Sequence, residues 1–214
     1  MSREQILGRL QSASWSKGQL PSGVIGLSQP QGGDVEQFIS KAQAAGAQVE
    51  RAVDIEAARG ILTSIIKEQQ VSRVVGTDDL ATQGLALPEL ASELGFAYQV
   101  CSQLKGSEYR DYVTNAELGI SGCTQGVAET GTLLLSHSHN NERLVSHAPD
   151  HYVGVITPEQ ILADRFSLSS IIQQEQSPPA AWTLVTGVSR TADVALQVVL
   201  GMHGPRKVTI IIVG

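Results

Sequence analysis

The sequence predicts an α/β fold, a mostly parallel sheet with flanking helices, and three observations carry that prediction. Short apolar runs of strand length alternate with longer stretches at helical spacing. The order strand–helix–strand–helix–strand in the first hundred residues demands crossover connections, which join parallel strands. The final run, residues 208–213, is apolar along its length, as for a strand covered on both faces.

Residues 2–12 space their apolar side chains as a helix does, and Pro21, Ser22 and Gly23 close a helical segment over residues 1–20. Residues 24–27 predict a short buried strand, followed by a turn-rich stretch to Gly33. Asp34 is placed to cap a helix whose stripe is Val35, Phe38, Ile39, Ala42 and Ala45, with Gly46 at its exit. Strand 48–53 follows, then a helix over 55–70 burying Ala58, Ile61, Leu62, Ile65 and Ile66, then strand 73–77. Residues 88–95 predict a short helix and 97–101 a strand. Beyond Gly106 the character changes. Residues 113–120 predict a strand, 121–126 a glycine-bearing break, and 127–135 two apolar arms around a polar turn. Strand 151–156 leads through Pro158 into a helix to about residue 174. Strand 182–187, a helix over 190–202 and strand 208–213 complete residues 1–214 as one domain. No repeat of fixed period is present.

Composition narrows the function. The chain has 214 residues and a formal charge of -6; its pI is near 5.3. Nucleic-acid binding usually requires a basic face, so neither nucleic acid nor membrane is expected as a partner. There are two cysteines, Cys101 and Cys123, too few for a four-cysteine zinc or iron–sulfur site in this chain alone. The first ten residues lack the apolar core of a secretory signal, and no stretch has the length of a membrane-spanning helix. A cytoplasmic location is expected.

Three segments offer chemistry. In Thr183-Leu184-Val185-Thr186-Gly187-Val188-Ser189-Arg190-Thr191, a strand runs into Gly187 and Ser189 stands where the helix over 190–202 would begin. Such a start can hold a carboxylate or phosphate on its free N–H groups; equally, Ser189 can be an ordinary cap, with Asp193 complementing the dipole. Thr191 occupies the place of the second glycine of a hydrolase elbow, which excludes that motif. Glu129 follows an apolar approach, where an unpaired carboxylate becomes a usable acid or nucleophile, and Gly131 allows a close backbone approach. It can equally be a surface turn residue. In His203-Gly204-Pro205-Arg206, the guanidinium enters an apolar strand and can grip a carboxylate with two parallel bonds, or pair with Glu129 or Asp193. His137, His139, His147 and His151 sit in or near a polar loop, and no metal is assigned to them.

Three segments together resemble the signatures of the LUD-domain family: Glu129-Thr130-Gly131-Thr132-Leu133, Gly187-Val188-Ser189-Arg190-Thr191-Ala192-Asp193, and Gly201-Met202-His203-Gly204-Pro205-Arg206. The family usually has Pro in place of Val188 and an acidic residue in place of Ala195. The resemblance is specific over residues 113–214. It implies a fold resembling the NagB/RpiA/CoA-transferase-like fold, and a part in oxidising L-lactate to pyruvate beside partner proteins that carry iron–sulfur clusters. The chain would then bind a small carboxylate or acyl ligand and no cofactor of its own. Self-association and turnover by the isolated chain stay open. The related CoA transferases use a nucleophilic glutamate, which makes Glu129 the alternative centre of a free-standing enzyme acting on an acyl-CoA or sugar phosphate.

Overall fold

In the computed structural model, the described residues are 3–12, 30–137, 140–174, 179–192 and 198–214. In chain order the elements are α1 (Arg3–Ser12), α2 (Val35–Ala44), β1 (Gln48–Ala52), α3 (Ile55–Glu68), β2 (Arg73–Gly76), α4 (Leu80–Gly84), α5 (Leu87–Leu94), β3 (Ala97–Val100), α6 (Gly106–Thr114), β4 (Leu118–Gly122), β5 (Gln125–Val127), β6 (Thr132–His137), β7 (His151–Ile156), β8 (Ile161–Leu162), α7 (Arg165–Gln174), β9 (Ala181–Val185), β10 (Arg190–Ala192), β11 (Val198–Leu200) and β12 (Lys207–Val213).

Six strands form one parallel sheet in the order β1-β12-β7-β4-β2-β3. Strand alternation divides its side chains between two cores. Val153, Val155 and Ile211 face Leu62 and Ile66 of α3 and Leu87 and Leu90 of α5. Tyr152, Ile156, Val208, Ile210 and Ile212 face the other way, toward Phe38 and Ala42 of α2 and toward Leu133 and Leu135 of a second sheet. That sheet has the order β8-β5-β6-β9. Gly154 lets it approach, because a Cβ there would lie 2.8 Å from the Leu133 side chain and 3.0 Å from Cys123 Sγ. Each large aliphatic side chain buried in these layers contributes roughly 1.5–3 kcal/mol.

Local sequence explains the elements. Asp34 accepts hydrogen bonds from Glu36 N and Gln37 N to start α2, and Asp54 accepts from Ala57 N to start α3. Gly46, at φ +90°, turns the chain out of α2 into β1.

Three expectations are corrected. The strand expected over 113–120 begins only at Leu118, because Val113 and Thr114 end α6, in which Tyr109 and Val113, four apart, bury one stripe beside Cys101 and Leu104. The helix expected from Pro158 is divided, because a single 3₁₀ turn and then β8 intervene before α7. Where a helix is expected over 190–202, the described residues 190–192 and 198–200 instead form β10 and β11, which pair antiparallel, with Arg190 opposite Leu200 and Ala192 opposite Val198. Thr191, Val198 and Val199 are β-branched and favour strand. Gly201, at φ +78°, then turns the chain back, and its N–H bonds Ser189 O at 3.0 Å. The predicted strand 24–27 lies outside the described residues.

Candidate functional site

Hydrogen bonds and close packing link the three signature segments into one corner of the molecule. The Thr132 hydroxyl bonds that of Thr130 at 2.7 Å and that of Thr186 at 2.8 Å, joining the first segment to the approach of the second. Ser189 N–H donates to Pro205 O at 3.0 Å, which joins the second segment to the third. Gly204 packs against the Ser189 side chain, and the stem of Arg206 lies over Gly201. Gly131 and Gly187 both press on the end of α2, at Ala42 and Ala45. His203 and Arg206 are exposed, Ser189 half-buried, and Arg190 donates to Ala45 O at 3.1 Å. Thr191 lies in β10; Asp193 and His139 lie outside the described residues.

This corner is at the end of the sheet where the strands begin, since Arg206 and Asp150 immediately precede β12 and β7. Strand β9 carries the chain there because it belongs to the second sheet, antiparallel to β6. Ser189 is therefore no helix cap. Arg206 does not pair with Glu129: its Nε sits 3.6 Å from Asp150 Oδ1, and the two side chains are 64% and 70% exposed. Glu129 is held instead by Arg165, Nη1 to Oε1 at 2.9 Å, with Glu129 N–H donating to Ala163 O. A nucleophilic role would require Arg165 to move away. Both partners are substantially exposed, so Glu129→Gln is expected to change folding stability by less than about 1 kcal/mol. Urea unfolding checks this, and a loss of activity in so mild a variant would mark Glu129 as chemically engaged.

The opposite end of the sheet holds a cleft that the sequence reading missed. The connections leaving β2 and β4 run in opposite directions, to β3 on one side and toward β7 on the other. Between such strands the carboxyl ends diverge and leave a crevice. There Asp78, Leu80, Thr124, Ser136 and Ile156 help line a cavity of about 470 Å³. Asp79 builds its rim. One oxygen of Asp79 accepts from Thr82 N–H at 2.9 Å; the other accepts from Gly122 N–H at 2.8 Å and from the Thr77 hydroxyl. A Cβ at Gly122 would lie 2.6 Å from that carboxylate, which would have to shift to make room. The signal in the sequence was Thr77-Asp78-Asp79, hydroxyl and carboxylates directly after a buried strand.

Burial pushes the thiols of Cys101 and Cys123 up to about 12, so neither is a ready thiolate. His151 is buried between Gln69 and Thr209 and is driven down to about 4 by burial, assisted by Lys207. Burial also lowers His137, whose Nε2 meets the Thr183 hydroxyl at 2.9 Å. Exposed His147 bonds Ser146 and the Arg143 carbonyl. Among the described residues, no three His, Cys, Asp or Glu side chains converge as a metal site, and no helix is long and apolar enough to cross a membrane.

The LUD domain model matches residues 35–213. Lactate utilization protein C of Macrococcus caseolyticus is 29% identical over 119 residues, 53% of this chain and 51% of that protein. Its namesake in Bacillus subtilis is 32% identical over 113 residues, 51% and 47% of the two chains. Lactate utilization protein C 1 of Bacillus mycoides is 28% identical over 159 residues, 71% and 67%. The chain spans about half the length of the first relatives it matches. A crystal structure of a DUF162 family protein from Deinococcus radiodurans superposes with a TM-score of 0.57 at 19% identity, over 84% of this chain and 95% of that one. That likeness shows the fold.

Proposed function

Because this chain belongs to the LUD domain family, we propose that it serves lactate utilisation, as a subunit that holds a small carboxylate while iron–sulfur partner proteins carry the electrons. The observation that carries this reading is the family match, joined to relatives that share a lactate-utilisation name. The corner built by the three signature segments supplies the chemistry. Arg206 is mostly exposed and only loosely paired with Asp150, so its guanidinium is free to turn two parallel N–H groups onto a lactate or pyruvate carboxylate. Arg190, within the second signature segment, adds a further positive charge to this corner. Oxidising lactate to pyruvate releases two electrons and two protons. A four-cysteine cluster needs twice the cysteines of this chain, so the electrons are assigned to centres on partners.

Calorimetric titration of the purified chain with L-lactate and with pyruvate tests this. Binding is expected, weakened at least tenfold by Arg206→Ala, since a charge-assisted hydrogen bond is worth roughly 1.5–3 kcal/mol. Absence of heat from either acid, together with no association with a cluster-bearing partner, would overturn the reading.

A further inference from the structure

The cleft between the carboxyl ends of β2, β4 and β7 lies at the opposite end of the sheet from Arg206, and the lactate reading does not use it. Its volume of about 470 Å³ falls within the range of small-molecule sites, roughly 300–1,000 Å³. Two smaller hollows of about 180 and 270 Å³ adjoin it, and Asp78 lines all three. One wall is apolar, formed by Leu80, Ala81, Val155 and Ile156. Leu80 is 86% exposed at the lip, an apolar side chain that would leave water if a ligand lay on it. The other wall carries Thr124, Ser136 and the Asp78 carboxylate.

Charge sets the class of ligand. Among the described residues, neither Lys nor Arg lines any of the three cavities, whereas Asp78 and Asp79 line the main one and Glu142 the smallest. An anion such as lactate would meet like charges there, with no Lys or Arg among the described lining residues to offset them. Asp79 is already committed to Thr82, Gly122 and Thr77. Asp78 accepts on Oδ1 from Gln83 Nε2 at 3.0 Å, and no bond to its Oδ2 is made among the described residues. Ionised carboxylates only accept, so the natural complement is a ligand that donates hydroxyls.

We propose that this cleft is a second ligand site, taking an uncharged, hydroxyl-rich molecule with one apolar face, the chemistry of a nucleoside. Vicinal hydroxyls donate to Asp78 while the flat apolar face covers Leu80. The site is independent of the carboxylate corner.

The probe is adenosine, titrated calorimetrically into the full chain, with adenosine 5′-monophosphate and L-lactate as charged comparisons. Adenosine is expected to bind, and the monophosphate more weakly. Asp78→Ala should weaken adenosine at least tenfold, since it removes hydrogen bonds to a charged acceptor. Ser136→Trp, at an exposed cleft-lining position, should block binding by filling the space. Arg206→Ala should leave adenosine affinity unchanged, so failure here and failure of the lactate reading are separable. A melting curve for each variant establishes that it is folded. The proposal is overturned if adenosine gives no heat, if folded Asp78→Ala and Ser136→Trp bind it as well as the parent chain, or if lactate displaces it.

Discussion

Gly131→Ala is expected to cost about 2–5 kcal/mol of folding stability, a large share of the 5–15 kcal/mol typical of a domain. Two penalties add. Gly131 has φ +66°, a left-handed conformation that costs an L residue roughly 1–2 kcal/mol. A Cβ there would also strike the Ala42 backbone nitrogen and lie 2.6 Å from Ala42 Cα and the Lys41 carbonyl carbon. These are backbone atoms of α2, which no rotamer change can move, so roughly 1–3 kcal/mol of overpacking is added. The turn cannot flip away cheaply, because Gly131 N–H donates to Val127 O at 2.9 Å. Gly187→Ala meets the same problem at φ +66° against the Ala45 carbonyl. Gly95 supplies the comparison: at φ +78° it has nothing within 4 Å of an added Cβ, so Gly95→Ala pays the conformational cost alone. Urea unfolding of the three variants measures the difference. A Gly131→Ala variant no less stable than Gly95→Ala would show that α2 yields easily at this contact.

Acidification from pH 7 to pH 4 is expected to remove about 3 kcal/mol of stability through His151 alone. The ring is 2% exposed. Its Nδ1 lies 3.1 Å from Gln69 Oε1 and its Nε2 2.9 Å from the Thr209 hydroxyl. The amide oxygen can only accept, which places the proton on Nδ1 of the neutral ring. Burial lowers the folded value to about 4 from the ordinary 6.5, and Lys207 acts in the same direction. Between those values the unfolded chain binds a proton that the folded chain refuses. The contribution of His151 is therefore complete above pH 6.5 and is lost as pH falls toward 4. Burial of His137 acts in the same sense, and Glu117, whose carboxylate accepts from Ser72 and Arg73, adds acid sensitivity of its own. For that reason the measurement is the difference in pH dependence between the parent chain and His151→Gln. Parallel stability–pH curves for the two would refute a buried neutral imidazole.

The central sheet was legible because burial on both faces leaves an unbroken apolar run, and residues 151–156 and 208–213 have nothing else to do. Helices α2 and α3 were equally plain, each with an aspartate before an amphipathic stripe. The β10–β11 hairpin was not. Apolar residues from Val194 to Leu200 satisfy either period in so short a window, and the deciding contacts, Ser189 with Pro205 and with Gly201, are tertiary. Helix α6 was hidden for a similar reason, since Val113 belongs to a stripe that starts at Tyr109. The signature segments were found, and the structure joins them. Their ion pairs were not predictable, because Arg165 and Asp150 reach Glu129 and Arg206 through neighbours fixed by the fold. The cleft at Asp78 depends on strand order, which no local pattern encodes.

Strand β12 separates β1 from β7, and Gln48 pairs with Thr209, 161 positions later. Every nascent chain must therefore keep β1 waiting, with both edges unpaired, until almost the whole domain has been synthesised. Closing so long a loop delays assembly and gives stalled or truncated chains a sticky strand to offer one another. The order of the strands thus sets a kinetic hazard for this protein that is relieved only when β12 takes its place beside β1.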